Sequence, residues 1–346
     1  MNHILLLTTL PFFASFVIQF IVIRNFHIRS FCIDHADTDK PQRFHDVPTP
    51  RAGGLGIVIA VIVGLSMFGK EGEYLALSAL PAFVIGFYED VTSNISPRLR
   101  LSIIMVGAVL AMVLMDSIVY DLGLLRMPLW MAIPFTIIAV AGLSNAINII
   151  DGFNGLASGV SIIILLSFAA ASYLYGDQLM LGVCTVLIVA IAGFFVWNFP
   201  RGRIFLGDGG AYFIGFILAE ISILLVKRNP GISPWFPLVI LAYPIFELFF
   251  SVYRKKFKRG LSAFKPDGVH FHMLIYRRIA RSNPKTSVYI WVLVAIFNVM
   301  AFPFHSNTPV LLFIFFLFSV SYLYLYRRIV RFKNWGVGEK LVAPRV

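Results

Sequence analysis

The chain has 346 residues, of which 59% are hydrophobic and 13% charged, and its mean hydropathy is +0.84. A soluble domain carries about a quarter charged residues, so this composition excludes an ordinary soluble protein and predicts an integral membrane helix bundle. The net charge of +12 is not evidence for nucleic-acid binding until membrane topology has been considered. The two cysteines, Cys32 and Cys184, are far apart and give no disulfide framework.

Apolar runs near the roughly 20 residues needed to cross a bilayer recur along the whole chain. They predict an all-α polytopic membrane protein with about eleven transmembrane helices. The first run lacks a cationic start and an obvious cleavage site, so we interpret it as a retained span. The predicted spans cover residues 4–23, 53–69, 74–89, 101–116, 128–148, 156–175, 179–197, 210–226, 234–253, 286–304 and 309–326.

The basic residues favour one orientation, with the N-terminus outside and the C-terminus in the cytoplasm. In that orientation the cytoplasmic loops hold 25 of the 29 Lys and Arg residues, as the positive-inside rule requires. Nine carboxylates that precede the C-terminal tail fall on the same side, which that rule does not explain. We therefore predict a single catalytic domain, residues 1–346, whose active site is built from cytoplasmic loops 24–52, 90–100, 149–155, 198–209 and 254–285.

The third of these loops follows two amides and a carboxylate spaced three residues apart, Asn145, Asn148 and Asp151. On a helix this spacing places the three side chains on one face of the last turns. Three glycines then suit a turn that approaches a ligand closely: Gly152, Gly155 and Gly159. The alternative is a set of solvated residues at a membrane boundary.

The first two loops carry further charge clusters. Lys40, Arg43, His45 and Arg51 precede a glycine pair that opens the next span, which makes either a phosphate cradle or a set of anchoring charges.

In the second loop, the adjacent acids Glu89 and Asp90 need a counter-charge at a membrane boundary. A divalent cation, or Arg98 and Arg100, would supply it. The alternative is a solvated helix terminus.

The fourth and fifth loops add a lone acid and two histidines. Asp208 lies among glycines at a helix start, so we expect no neighbouring side chain to screen it. It can then reach a metal beside a phosphate or simply cap the helix. The basic run 254–259 is typical of contact with anionic headgroups. His270 and His272 lack the further ligands of a zinc site, so we expect them to contact phosphate oxygens.

Two acids fall inside predicted spans, where buried charges are costly and indicate function. For Glu247 the alternative is an ion pair with Arg254 near the helix end. For Glu220 the sequence indicates no partner.

Together, these clusters supply carboxylates, amides, cations and glycine turns on one side of the membrane, as a Mg²⁺-bound nucleoside diphosphate requires. In order and spacing they resemble the polyprenyl-phosphate N-acetylhexosamine-1-phosphate transferases of the glycosyltransferase 4 type, which begin bacterial cell-wall and O-antigen glycans. The resemblance spans most of the chain. Its segments are residues 48–54, 89–90 with Arg98 and Arg100, 145–152, 205–209, and His270 with His272.

The resemblance implies an eleven-span fold in the bacterial inner membrane, with a cytoplasmic active site. It also implies the reaction: undecaprenyl phosphate attacks the β-phosphorus of a UDP-N-acetylhexosamine, and UMP leaves. Mg²⁺, or Mn²⁺ in its place, is the implied cofactor. UDP-GlcNAc, UDP-GalNAc and deoxy-N-acetyl sugars all fit as donors, and a homodimer is an open alternative. Nucleic acid is not an expected partner.

The predicted site combines these sources. Four carboxylates are predicted to be catalytic: Glu89, Asp90, Asp151 and Asp208. Asp208 and Asp90 are the predicted metal ligands, and the acidic pair is implied either as the base or as a positioning group. Seven residues are predicted to bind substrate: Arg43, His45, Arg51, Asn145, Asn148, His270 and His272.

Three positions depart from the family pattern. Glu89 stands where Asp is usual, which weakens its case as the base, and Asn154 also replaces a common Asp. Met273 follows His272 where several members have another His. The histidine-rich motif of the muramoyl-pentapeptide branch is absent, which favours a simpler UDP-sugar.

Two other functions fit the sequence less well. A secondary transporter for an anionic solute would show internal repeats and mid-membrane polar sites, whereas this chain shows no repeat and its polar residues gather at one edge. A CDP-alcohol-type phosphotransferase would need an aspartate-rich helix signature that this chain lacks.

Overall fold

The computed structural model describes residues 2–29, 33–34, 49–258, 260 and 268–331. In this part of the chain the prediction of an all-α membrane protein is confirmed. A two-residue antiparallel ribbon joins β1 (Ile33–Asp34) to β2 (Thr49–Pro50). The helices are α1 (Asn2–Arg29), α2 (Gly53–Leu65), α3 (Gly69–Thr92), α4 (Pro97–Met115), α5 (Leu129–Ile150), α6 (Leu156–Leu174), α7 (Gln178–Asn198), α8 (Gly207–Arg228), α9 (Trp235–Ile240), α10 (Ala242–Tyr253), α11 (Phe271–Ile275), α12 (Asn283–Ala301) and α13 (Thr308–Arg331).

Nine stretches of the described chain are long and apolar enough to cross a membrane. One of them, Gly53–Thr92, contains two of the predicted spans, α2 and α3, separated by the 3-10 turn Ser66–Phe68. The predicted span 234–253 is divided into the short helices α9 and α10. The count of eleven and the orientation stay predictions.

Helix α8 is the central helix of the bundle. It is apolar on all sides and packs against α2, α3 and α5, as expected for a helix that neighbours surround. Most of its side chains are buried, including Phe213 and Phe216. The N-terminal end of α8, residues 207–210, is therefore held by several neighbouring helices and forms a rigid platform.

Glycines bring two other helix ends onto that platform. A Cβ on Gly54, at the start of α2, would lie 2.4 Å from the backbone nitrogen of Gly210. A Cβ on Gly86, near the end of α3, would lie 2.6 Å from the nitrogen of Gly209. Helices α2 and α3 thus form a hairpin whose two open ends both meet the start of α8.

Charged side chains at the other end of α8 pair among themselves. The Lys227 ammonium lies 2.7 Å from the Asp116 carboxylate, and Arg228 lies 3.0 Å from Asp177. Inside the bundle, the Ser117 hydroxyl donates to Glu220, the acid for which the sequence indicated no partner. These contacts belong to the end of the bundle away from Asp208.

Candidate active site

Asp90, near the C-terminal end of α3, caps the N-terminus of α8. Asp90 lies in the last turn of α3, and its side chain is 1% exposed. Its Oδ1 accepts the backbone N–H of Asp208 at 2.9 Å, and its Oδ2 accepts that of Gly209 at 3.0 Å. The first N–H groups of a helix have no partner within the helix, so a carboxylate here stabilises the helix end. The cap of α8 therefore comes from α3, whereas Asp208 lies in the first turn.

Asp208 points into a half-open space between charged neighbours. Its side chain is 14% exposed, its Oδ1 accepts from Asn148 Nδ2 at 2.9 Å, and its Oδ2 accepts from Arg100 Nη1. Arg51 Nη2 lies 3.7 Å from Oδ1. The expectation that neighbouring side chains leave Asp208 unscreened is wrong, because two arginines and an amide surround it.

Arg100 joins Asp208 to the other member of the acidic pair. Its Nη1 lies 3.8 Å from Glu89 Oε1, while Glu89 Oε2 accepts the backbone N–H of Ile95 at 2.7 Å. Two arginines were predicted as possible counter-charges to the acidic pair. Arg98 is exposed to solvent, whereas Arg100 lies near Glu89, so Arg100 provides the counter-charge. The buried Nε of Arg100 has no hydrogen-bond partner among the described residues.

Arg51 approaches the cluster from the segment before α2. Backbone hydrogen bonds fix that segment: Phe205 N–H donates to Pro50 O at 2.8 Å, and Gly53 N–H donates to Phe205 O at 2.9 Å. Arg51 Nε then lies 3.9 Å from Asp90 Oδ1. Burial alone would lower the pKa of Arg51, but nearby carboxylates, Asp208 foremost, raise it above its ordinary value. Arg51 therefore stays charged at any working pH.

Asp151 ends α5 and begins the glycine turn. The turn is held by Asn198, whose Oδ1 accepts the N–H of Gly155 at 2.6 Å and whose Nδ2 donates to Ile204 O at 2.7 Å. Gly155 has φ +74°, a backbone conformation that favours glycine. Burial raises the pKa of Asp151 to about 7, Arg51 lowers it, and Asp208 raises it further.

Replacing Asp151 with asparagine is expected to raise the melting temperature of the substrate-free protein more at pH 8 than at pH 5. The folded carboxyl has a pKa of about 7, against an ordinary 3.8. Between these values the unfolded chain releases the proton first, so this carboxyl costs more stability as the pH rises toward 7. Melting curves of both proteins in detergent would measure this, and equal differences at the two pH values would contradict it.

The loop histidines occupy two different environments. His270 Nδ1 lies 2.8 Å from Glu247 Oε1, so Glu247 pairs with this ring, whereas the alternative drawn from the sequence was a pair with Arg254. His272 is fully buried, and its Nδ1 lies 3.1 Å from the Tyr243 hydroxyl. A Cβ on Gly152 would lie 3.5 Å from His272 Nε2, so this nitrogen faces the glycine turn.

His272 is uncharged in this environment. Burial lowers the pKa of His272 to about 3; Glu247 opposes this shift, whereas His270 and Arg254 add to it. Its ring packs edge-on against Phe153 in the turn, with centroids 5.8 Å apart. His272 therefore contacts the turn as a neutral imidazole.

The structure brings most of the predicted residues to one end of the bundle. Asn145 is half-buried on α5, one turn before Asn148. Arg43 and His45 lie outside the described residues, so their predicted role is untested. Asn198, which links the glycine turn to the segment before α8, was not predicted. Its only sequence signal is a polar residue at the end of an apolar run.

The carboxylates suit a divalent cation that a substrate phosphate helps to bind. The described residues contain no group of three His, Cys, Asp or Glu donors that could hold an ion unaided. Mg²⁺, however, is usually bound by one or two carboxylates together with water and phosphate. When all of its groups are ionised, the cluster of Glu89, Asp90, Asp151, Asp208, Arg51 and Arg100 has a formal charge of −2. Asp208 is the better-placed ligand, because Asp90 is buried and both its oxygens bind backbone N–H groups.

Known proteins align with most of this chain. The family described as "Glycosyl transferase family 4" matches residues 73–226, which contain α3 to α8 almost completely. The probable undecaprenyl-phosphate N-acetylglucosaminyl 1-phosphate transferase of Bacillus subtilis is 32% identical over 326 residues, 90% of this chain and 88% of the relative.

Two more distant relatives extend the comparison. The undecaprenyl-phosphate alpha-N-acetylglucosaminyl 1-phosphate transferase of Thermotoga maritima is 26% identical, over 75% of this chain and 78% of its own length. A phospho-N-acetylmuramoyl-pentapeptide-transferase of Streptococcus pneumoniae is 28% identical, over 73% of this chain and 83% of its own length.

Proposed function

This chain belongs to the polyprenyl-phosphate sugar-1-phosphate transferases of glycosyl transferase family 4, and we propose that it transfers N-acetylhexosamine 1-phosphate from a UDP-sugar to undecaprenyl phosphate. The observation that carries the proposal is the convergence on Asp208. Arg51, Arg100 and Asn148 all approach this carboxylate at the N-terminus of α8, where the two guanidinium groups and the helix dipole favour phosphate.

In this reaction the bonds form and break between the two substrates, and the protein takes little covalent part. An oxygen of the lipid phosphate forms a bond to the β-phosphorus, the bond from that phosphorus to the oxygen shared with the α-phosphate breaks, and UMP leaves with the electron pair. A phosphate monoester has a second pKa of about 6, so the nucleophile is already ionised near neutral pH. The protein's contribution is then positioning and charge neutralisation, which dominate phosphoryl transfer.

Asp208 is the residue that would hold Mg²⁺. When bound there, the ion would neutralise charge on the diphosphate beside it. Asp90 orients Asp208 through the backbone of α8 and does so without exposing its own oxygens. This arrangement supports a positioning role for Asp90, while its predicted role as a second ligand stays a prediction.

The two substrates are expected on different sides of Asp208. Asp151, Asn148 and Asn145 would contact the nucleotide from the end of α5, and His272 would contact it across the glycine turn. Arg100 of α4 contacts the other oxygen of Asp208 and lies near Glu89 of the hairpin, and on this side the lipid phosphate would arrive from the bilayer. In this interpretation Glu89 positions the acceptor and need not act as a base.

We further propose that this multi-pass protein lies in the bacterial inner membrane with the site facing the cytoplasm, where UDP-sugars are made. The basic loops favour that orientation. The names of the Bacillus and Thermotoga relatives favour N-acetylglucosamine as the sugar. A homodimer stays a prediction.

Purified protein in detergent is expected to release UMP only when UDP-N-acetylglucosamine and undecaprenyl phosphate are both present. A chelator should abolish the release, and added Mg²⁺ should restore it. A panel of UDP-sugars, with the lipid product identified by mass, would determine the donor. Uptake of an anionic solute by proteoliposomes, with no UMP release from any donor, would instead support the transporter alternative.

A further inference from the structure

A buried network behind the two histidines connects them to the membrane helices. Glu247 of α10 is fully buried and accepts three hydrogen bonds. They come from His270 Nδ1 at 2.8 Å, the Phe271 N–H at 3.2 Å and the Tyr322 hydroxyl of α13 at 2.6 Å. This carboxylate therefore fixes the start of α11 against α10 and α13.

Tyr243, one helical turn before Glu247, holds the second ring. Its hydroxyl lies 3.1 Å from His272 Nδ1. The rings of His270 and His272 stack with an interplanar angle of 4° and centroids 5.5 Å apart, so fixing one ring helps to fix the other. Glu247 and Tyr243 thus act on neighbouring rings from one face of α10.

One nitrogen in this network lacks a partner. Among the described residues nothing hydrogen-bonds His272 Nε2, although the atom is buried. Buried polar atoms in folded proteins are nearly always paired, so an unpaired one that faces the glycine turn indicates a missing partner. Phosphate and uracil carbonyl oxygens are acceptors, and pairing with either requires a proton on Nε2.

We propose that Tyr243 and Glu247 are positioning residues for His272, an inference that rests on the proposed function. Tyr243 donates to Nδ1 and so fixes the proton of the neutral ring on Nε2, which then donates to an acceptor oxygen of the UDP-sugar. Glu247 holds His270 and the start of α11, and the stacked His270 ring keeps the donor nitrogen aimed at the turn. The two histidines therefore have different roles: His270 supports the loop, and His272 contacts the substrate.

Replacing Tyr243 with phenylalanine tests the proposal because it removes only the hydroxyl. The rate at limiting UDP-sugar is expected to fall about tenfold, the size of one lost hydrogen-bond contribution. The KM for undecaprenyl phosphate should stay unchanged. In a protein that already carries His272→Ala, the same substitution should cost almost nothing further, because both changes remove one interaction. Fully additive losses would overturn the proposal.

Glu247→Gln is the second variant, with Glu220→Gln as its matched control. Both replace a fully buried acid within the bundle, but Glu220 bonds to Ser117 and lies about 18 Å along α8 from Asp208. Glu247→Gln should lower the rate at limiting UDP-sugar, non-additively with His272→Ala, whereas Glu220→Gln should leave it unchanged. Equal effects of the two variants would show that Glu247 has only a general structural role and would refute its proposed role in positioning His272.

A spectroscopic measurement separates this inference from the proposed function. In protein labelled with [¹⁵N]histidine, the His272 signals, assigned by their loss in His272→Ala, should report a neutral ring protonated on Nε2. Tyr243→Phe should give a mixture of tautomers. A ring protonated on Nδ1 in the parent protein would overturn the inference even if UMP release is observed. Failure of UMP release with a ring protonated on Nε2 would instead refute the proposed function, and with it the UDP-sugar as the acceptor, while control of the tautomer by Tyr243 would stand.

Discussion

Replacing Asp208 with asparagine is expected to lower UMP release about 100-fold or more at saturating substrates. The amide keeps the size of the side chain but removes the charge that two arginines surround and that would hold Mg²⁺. It also places an N–H₂ group opposite either Asn148 Nδ2 or Arg100, both of which are donors. Initial rates at several Mg²⁺ concentrations would measure the loss and any change in metal dependence.

Asp116→Asn is the matched control for this prediction. Asp116 is an exposed acid that pairs with Lys227 at the opposite end of α8, so its neutralisation should leave the rate unchanged. The Asp208 variant should also keep the melting temperature of the parent protein within a few degrees. Activity within a few-fold of the parent would reject Asp208 as the metal-binding carboxylate.

Replacing Gly54 with alanine is expected to lower the turnover number up to about 100-fold, although the residue has no functional group. The new methyl would lie 2.4 Å from Gly210 N and 2.5 Å from Gly210 Cα, which are backbone atoms. Helices α2 and α8 must therefore separate, at a cost of about 1–3 kcal/mol. The movement would carry Arg51 away from Asp208.

Gly142→Ala provides the comparison. Gly142 also lies in a membrane helix, but among the residues that the structure describes a Cβ there would meet only Leu248 Cδ2, at an ordinary contact distance of 3.8 Å. This variant should keep full activity and gain a little helix stability. Parallel measurements of turnover and melting temperature would test the pair. A Gly54→Ala protein as active as Gly142→Ala would disprove the close-packed junction.

Some of the site could be predicted because its signals are local. Apolar runs predicted the membrane helices, and the three-residue spacing predicted that Asn148 and Asp151 lie together at the end of α5, where both interact with Asp208. The capping of α8 by Asp90 could not be predicted, because the bond joins residues 118 positions apart and depends on how two glycines pack. The two arginines that approach Asp208 are also distant from it in sequence, so the sequence predicted an unscreened carboxylate.

Residue type alone was not sufficient in two places. The glycine pair at the start of α2 was considered as part of a phosphate cradle, and the fold shows that Gly54 also allows two helix backbones to touch. For Glu247 the sequence offered Arg254 as an alternative partner, whereas its partners come from the histidine loop and α13. The partners of a buried acid are the groups that the fold brings close to it, and a single sequence does not reveal which groups these are.

The hydrogen bond from Tyr322 to Glu247 has a consequence for biogenesis. Helices insert into the membrane in the order in which the ribosome makes them, and α13 is the last described helix to emerge. A nascent chain that already holds all four carboxylates of the cluster still lacks the hydroxyl that supports Glu247 and the histidine loop. If Glu247 and His272 have the roles proposed above, the histidine loop is fully supported only when α13 has joined the bundle, and turnover is expected to begin only then.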